Sequence, residues 1–111
     1  MGSVDQLPQP GFPGRIDVVE EDGGPVLRLR GEIDSLAVEA WDAAASGGQQ
    51  PPVAVDASAT TFLDCRGLRL LLRETEATRR AGRVPELRAP SRSVRRVLAL
   101  TGTGPLFATV P

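Results

Sequence analysis

The sequence predicts an α/β domain: a mixed sheet of four to five strands with helices packed mainly on one face. Three observations carry this. Short strands alternate with helical stretches from residue 26 onward, the pattern of strand-helix-strand crossovers. The first two strands are separated by the turn sequence Glu21-Asp22-Gly23-Gly24-Pro25, which adds an antiparallel hairpin at the start. Serial right-handed crossovers that progress in one direction leave their helices on a single side.

Residues Met1 to Gly14 have three Pro, three Gly and no periodicity, and read as a flexible arm before a domain over 15–111. Arg15–Glu20 is the first strand. Val26–Arg30 is the second, with Leu27 and Leu29 on its core face and Val26, Arg28 and Arg30 on the other. Asp34 or Ser35 caps a helix reaching about Ser46, whose buried stripe is Ala37, Ala40, Trp41 and Ala44; Gly47-Gly48 closes it.

Val53-Ala54-Val55 is an apolar run suited to the middle of a sheet. Asp56 to Thr61 then reads as a polar loop, with Phe62 and Leu63 turned inward to pin it. A second helix starts near Asp64-Cys65-Arg66-Gly67 and ends at Gly82. Leu68, Leu71, Leu72 and Thr75 lie along one side, while Arg66, Arg69, Arg73 and Arg80 lie along the other. Val84–Ala89 is a weaker strand, at an edge or with an irregular start because of Pro85. Pro90-Ser91 opens a third helix with Val94, Val97 and Leu98 inward, and Leu106–Val110 is a short last strand.

A chain of 111 residues with 41% apolar composition supports one core without staples. Its formal net charge of −1 argues against bulk binding to nucleic acid or an anionic membrane. With no His there is no Ser-His-Asp or Cys-His nucleophilic machinery, and one Cys provides neither a zinc cluster nor an internal disulfide. No stretch has the length of an apolar membrane span. The expectation is a cytoplasmic, non-enzymatic protein without metal or cofactor.

The most distinctive chemistry is the junction where Asp64, the only thiol, an Arg and a Gly meet a helix N-terminus. Here the chain resembles the STAS domains, in particular the single-domain anti-sigma factor antagonists of bacteria. The resemblance runs from Arg15 to the C-terminus. Its carriers are Leu29-Arg30-Gly31-Glu32-Ile33-Asp34, Val53-Ala54-Val55-Asp56, Phe62-Leu63-Asp64-Cys65-Arg66-Gly67-Leu68, and Val94-Arg95-Arg96-Val97-Leu98 with Leu100-Thr101-Gly102. It implies a transcription-regulating switch that binds an anti-sigma factor, itself a GHKL-type Ser/Thr kinase, and so frees a sigma factor. In that family the kinase phosphorylates a Ser directly after the Asp, and the added charge breaks the complex. Here that position is Cys65.

A thiol is no substrate for an ordinary Ser/Thr kinase, so three readings stand. Cys65 is a silent stand-in for Ser; regulation moves to Ser58, Thr60 or Thr61; or Cys65 senses redox state. The expected partner-binding residues are Asp34, Asp64, Cys65, Arg66, Gly67, Arg69 and Arg73, with helix capping a sufficient reason for either Asp and a solvated face for the arginines. Other readings are a ligand-binding or scaffold module for nucleotide, lipid or a larger assembly, and, weakest, an enzyme using Cys65 as nucleophile. An exposed sheet edge and a single thiol leave dimerisation open.

Overall fold

A computed structural model describes residues 13–44 and 50–111. Strands β1 (Arg15–Glu21) and β2 (Gly24–Ile33) form the expected hairpin, in register Val18 opposite Leu27. The chain continues through α1 (Ser35–Ala44), β3 (Ala54–Leu63), α2 (Cys65–Arg80), β4 (Glu86–Arg88), α3 (Arg92–Thr101), a single 3-10 turn at Gly104–Leu106 and β5 (Ala108–Val110). The five strands lie in chain order across the sheet, and every pair after the hairpin is parallel. The predicted arm lies outside the described residues as far as residue 12. Its last two residues belong to the fold: Pro13 bridges to Glu32, and Gly14 packs against the same residue.

Alternation along the strands makes the sheet one-sided. Leu27, Leu29, Ile33, Val55, Ala57, Leu63 and Leu87 are buried on one face. They form one apolar cluster with Ala37, Val38 and Trp41 of α1, Leu68, Leu70 and Leu71 of α2, and Val94 and Leu98 of α3. The opposite face carries ion pairs instead. Arg28 donates two hydrogen bonds to Asp17 at 3.0 and 2.9 Å, Arg30 adds a third at 3.3 Å, and Arg88 bridges Glu21 and Glu86. Facing arginine and carboxylate rows keep this face wetted and discourage stacking by another sheet.

Several expectations are corrected. Asp56 to Thr61 is not a loop. It is the continuation of β3, paired with β2 as far as Ile33 opposite Leu63 through two register shifts. Each shift inserts an extra residue on β3, Ser58 or Thr61 by position, and so resets which side the next residue faces. Beside the second shift, Gly31 has a φ of +76°, a left-handed conformation that Gly adopts without Cβ strain. As a result Phe62 sits opposite Glu32 on the open face and is 47% exposed, not turned inward.

In α1 the buried set is Ala37, Val38 and Trp41; Ala40 and Ala44 are exposed because the helix is the outermost of its layer, with only β1 beside them. The described part of α1 ends at Ala44, and the expected extension to Ser46 and the Gly47-Gly48 stop lie outside the described residues. The third parallel strand is not at an edge: β4 is flanked by β3 and β5, and Pro85 is accommodated by standing just before its first residue. The third helix matches its reading, with Ser91 accepting a hydrogen bond from the Val94 N–H at 3.3 Å and Gly102 as the left-handed cap.

Two measurements check this arrangement. Leu71 is fully buried and Phe62 is half open, so Leu71→Ala should cost about 2–5 kcal/mol and Phe62→Ala under about 1 kcal/mol in urea unfolding. The Asp17 carboxyl is held below its ordinary pKa of 3.8, chiefly by the Arg28 hydrogen bond and against a desolvation penalty. A carboxylate with a lower pKa when folded stabilises above its unfolded pKa and loses that contribution as pH falls through the folded value. Asp17→Asn should therefore lower the melting temperature at pH 7, by a margin that begins to shrink as the pH falls below 3.8 and is gone once it has passed the lowered folded value.

Candidate functional site

Strands β2 and β3 end in register, with Ile33 opposite Leu63, so Asp34 and Asp64 leave the sheet side by side. Each starts a helix. Asp34 Oδ1 accepts from the N–H groups of Leu36 and Ala37 at 3.1 and 3.2 Å; Asp64 Oδ1 accepts from Gly67 N–H at 2.9 Å. Both carboxylates thus satisfy N–H groups that the helix leaves without partners, the role that capping requires of them.

Gly67 fixes how close α2 comes to the sheet. It is buried, and a Cβ there would lie 2.5 Å from the Ile33 carbonyl oxygen and 2.7 Å from Leu63 Cδ1. The Asp64 N–H donates to the same Ile33 carbonyl at 3.3 Å. The first turn of α2 is therefore pressed against the end of β2, and Gly67 faces its own chain.

This packing turns the rest of the first turn outward. Cys65, Arg66 and Arg69 are all exposed, and neither arginine makes a hydrogen bond or ion pair among the described residues. Leu36, in the first turn of α1, is 73% exposed beside them in the fold, and Phe62 lies on the open face just before Asp64. The result is an exposed thiol with two unpaired arginines at the start of α2, and exposed apolar side chains at Leu36 and Phe62 next to the two chain exits.

Not every sequence candidate gathers here. Arg73 lies two turns along α2 and is tied to α1, with Nη2 2.7 Å from Asp42 Oδ1 and 3.2 Å from Glu74. The Trp41 indole N–H donates to the same Glu74 at 3.3 Å, so Arg73 is a strut between helices. Ser58, Thr60 and Thr61 sit in β3, not in a loop beside the helix. Thr60 is 3% exposed and donates to the Leu29 carbonyl, and the Thr61 hydroxyl is enclosed. Only Ser58 is exposed, and the five strand steps from it to Leu63 put it roughly 16 Å from the end of β3 that precedes Cys65. From sequence Leu36 has no assigned role, and Phe62 is expected to turn inward. Leu36 lies off the Ala37/Trp41 stripe, which is a readable signal, whereas the exposure of Phe62 depends on the register shifts.

Among the described residues no three His, Cys, Asp or Glu side chains cluster as metal ligands, and no helix is long and apolar enough to cross a membrane. A family model described as "Mlab, STAS domain" matches residues 16–107. The chain belongs to the STAS domain family. Its fold agrees: SpoIIAA, an anti-sigma factor antagonist solved in its unphosphorylated form, is 31% identical over 86% of this chain and 88% of that one, with a TM-score of 0.61. An anti-sigma factor antagonist from Mycobacterium paratuberculosis is 29% identical over 95% and 91% of the two chains, with a TM-score of 0.65. The Bacillus cell fate determinant SpoIIAA in its phosphorylated form gives 29% identity over 86% and 91%, with a TM-score of 0.55. No curated protein matches the chain.

The STAS domain's two caps and its glycine are expected to act on stability. Asp64→Ala should cost about 0.5–2 kcal/mol. Gly67→Ala should cost more than the cap variant, because its Cβ meets backbone that cannot swing away. Equal or inverted costs in chemical unfolding would refute the close approach of α2.

Proposed function

We propose that this STAS domain is an anti-sigma factor antagonist that docks the surface around Cys65 onto a GHKL-type kinase anti-sigma factor. The observation that carries the reading is the exposed set Leu36, Phe62, Cys65, Arg66 and Arg69, at the position where the family presents its phosphoacceptor. Likeness to three solved antagonist structures over more than four-fifths of the chain supports it. Asp34, Asp64 and Gly67 shape the surface by holding the two helix starts in place. Arg66 and Arg69 supply charge for an acidic patch on the partner, while Arg73 contributes by bracing α2 against α1.

In this reading Cys65 preserves the size of a Ser without accepting phosphate from the kinase. The complex is then not broken by phosphorylation at the junction, and Ser58 is the accessible hydroxyl among the alternatives in β3.

Affinity capture from the native cell should recover a GHKL-type kinase, and repeated recovery of none would sink the proposal. With that kinase and ATP, the wild-type protein should stay unmodified at residue 65, while Cys65→Ser should gain one phosphate and then release the kinase. Arg66→Glu with Arg69→Glu should weaken binding by roughly tenfold or more, about 1.4 kcal/mol, and remove much of its salt dependence.

A further inference from the structure

Strand β1 is an edge, and among the described residues no strand lies on its outer side. It is seven residues long, without Pro, and pairs with β2 in unbroken register. A long regular edge of this kind is a template for another strand. Beside it runs a cleft of about 350 Å³ between β1 and α1, where Ile16, Val18, Ala37, Ala40, Trp41 and Ala44 supply apolar lining and Gly14, Arg15 and Asp17 complete the wall. Val18 is 37% exposed in the middle of the edge.

The charges on β1 select what fits. In Arg15-Ile16-Asp17-Val18-Val19-Glu20-Glu21, an antiparallel copy centred on Val18 places Arg15 opposite Glu21 at both ends and Asp17 opposite Val19. Centring on Asp17 or Glu20 would oppose identical carboxylates, and centring on Val19 would set Asp17 against Glu21. Arg15, Asp17 and Glu21 all lie on the open face, since their partners on β2 are Arg30, Arg28 and Gly24 and Asp17 bonds both arginines. Arg15 makes no ion pair among the described residues, whereas Glu21 accepts from Arg88 Nη1 at 2.9 Å within its own sheet and would share its carboxylate with Arg15 of the second copy. Asp17 is already neutralised within its own chain, so facing Val19 leaves no bare charge. On the helix side the same register sets Val18 against Val18, with Glu20 beside Ile16 of the other copy at each end, on the face where Ala40 and Ala44 of α1 are exposed.

We propose that the outer edge of β1 is a self-association surface, on which a second copy of this chain pairs antiparallel through Val18 to give a continuous ten-stranded sheet. The paired edge lies along the side of the sheet, away from the Cys65 surface at the strand ends. The two copies' β2 strands run in opposite directions, so their Cys65 surfaces face opposite ways and both stay free. The proposal does not depend on the identity of the partner at that surface.

Sedimentation velocity on the full chain, from the micromolar range to about 1 mM, should show a reversible monomer–dimer equilibrium. Arg15→Glu and Glu21→Arg each turn two attractive cross-strand pairs into repulsive ones, and should each weaken self-association roughly tenfold or more. Mixing the two variants should restore a dimer, because one copy then carries a carboxylate at both positions 15 and 21 and the other a guanidinium at both. Both cross-strand pairs of the mixed dimer are therefore attractive. Circular dichroism melting of each monomer checks that the variants fold. A full-length chain that stays monomeric throughout overturns the proposal, and if removal of residues 1–12 then permits dimers, the arm is the occupant of this edge. Dimers insensitive to both charge reversals, or variants that do not recover on mixing, overturn it equally.

Discussion

The contact between Gly67 and the Ile33 carbonyl sets the geometry of the whole end of the sheet that carries Cys65. A parallel β2–β3 pair delivers two chain exits at the same height, but parallel pairing alone leaves the following helices free to splay. Removing the Cβ at residue 67 lets the first turn of α2 settle onto the end of β2, with the Asp64 N–H on the same carbonyl. From that approach follow the burial of Leu68, Leu70 and Leu71, the alignment of α2 with α1 through Arg73, and the outward aim of Cys65, Arg66 and Arg69. The proposed docking surface is a by-product of packing, and it rests on the core beneath it.

The same constraint sorts the polar groups at this end into two kinds. Asp34 and Asp64 have their carboxylate oxygens engaged by helix N–H groups, so their direct interaction with a partner would compete with the start of a helix. Arg66 and Arg69 have no such engagement and a long reach. Recognition energy at a protein interface concentrates in groups that can be desolvated against a partner, with aromatic and Arg side chains prominent among them. Phe62, Leu36 and the two arginines fit that description better than the aspartates do.

Much of the fold was legible because local chemistry and global packing agree. The alternation of Leu27 and Leu29, the Leu stripe of α2 and the Ser91 and Gly102 caps of α3 each point to the structure they adopt. The segment Asp56 to Thr61 was not legible as a strand, since its Ser, Ala and Thr residues give no apolar alternation and two inserted residues break the period that sequence reading relies on. The wrong side for Phe62 follows from that one fact. In α1 the expected stripe held at Ala37 and Trp41 and failed at Ala40 and Ala44, which are apolar without being buried, while Val38 takes a core position. The position of the junction was readable from Asp64, Cys65 and Gly67 together. That Gly67 serves the chain's own packing, and that Arg73 is spent on Asp42, required coordinates.

The placement of residue 65 explains why a switch located there would act between molecules rather than within one. It is the first residue of a 16-residue helix, where the helix macrodipole favours negative charge. A phosphate at this point would stabilise the helix start, so the fold gives no internal reason for a phosphorylated domain to change shape. Its effect must fall on the partner surface, where two added charges would have to be desolvated among Leu36 and Phe62 and would neutralise Arg66 and Arg69. With Cys65 the helix start keeps its geometry and the surface keeps its two unpaired arginines. On the antagonist reading, the substitution leaves the docking face intact and removes only the means of cancelling it.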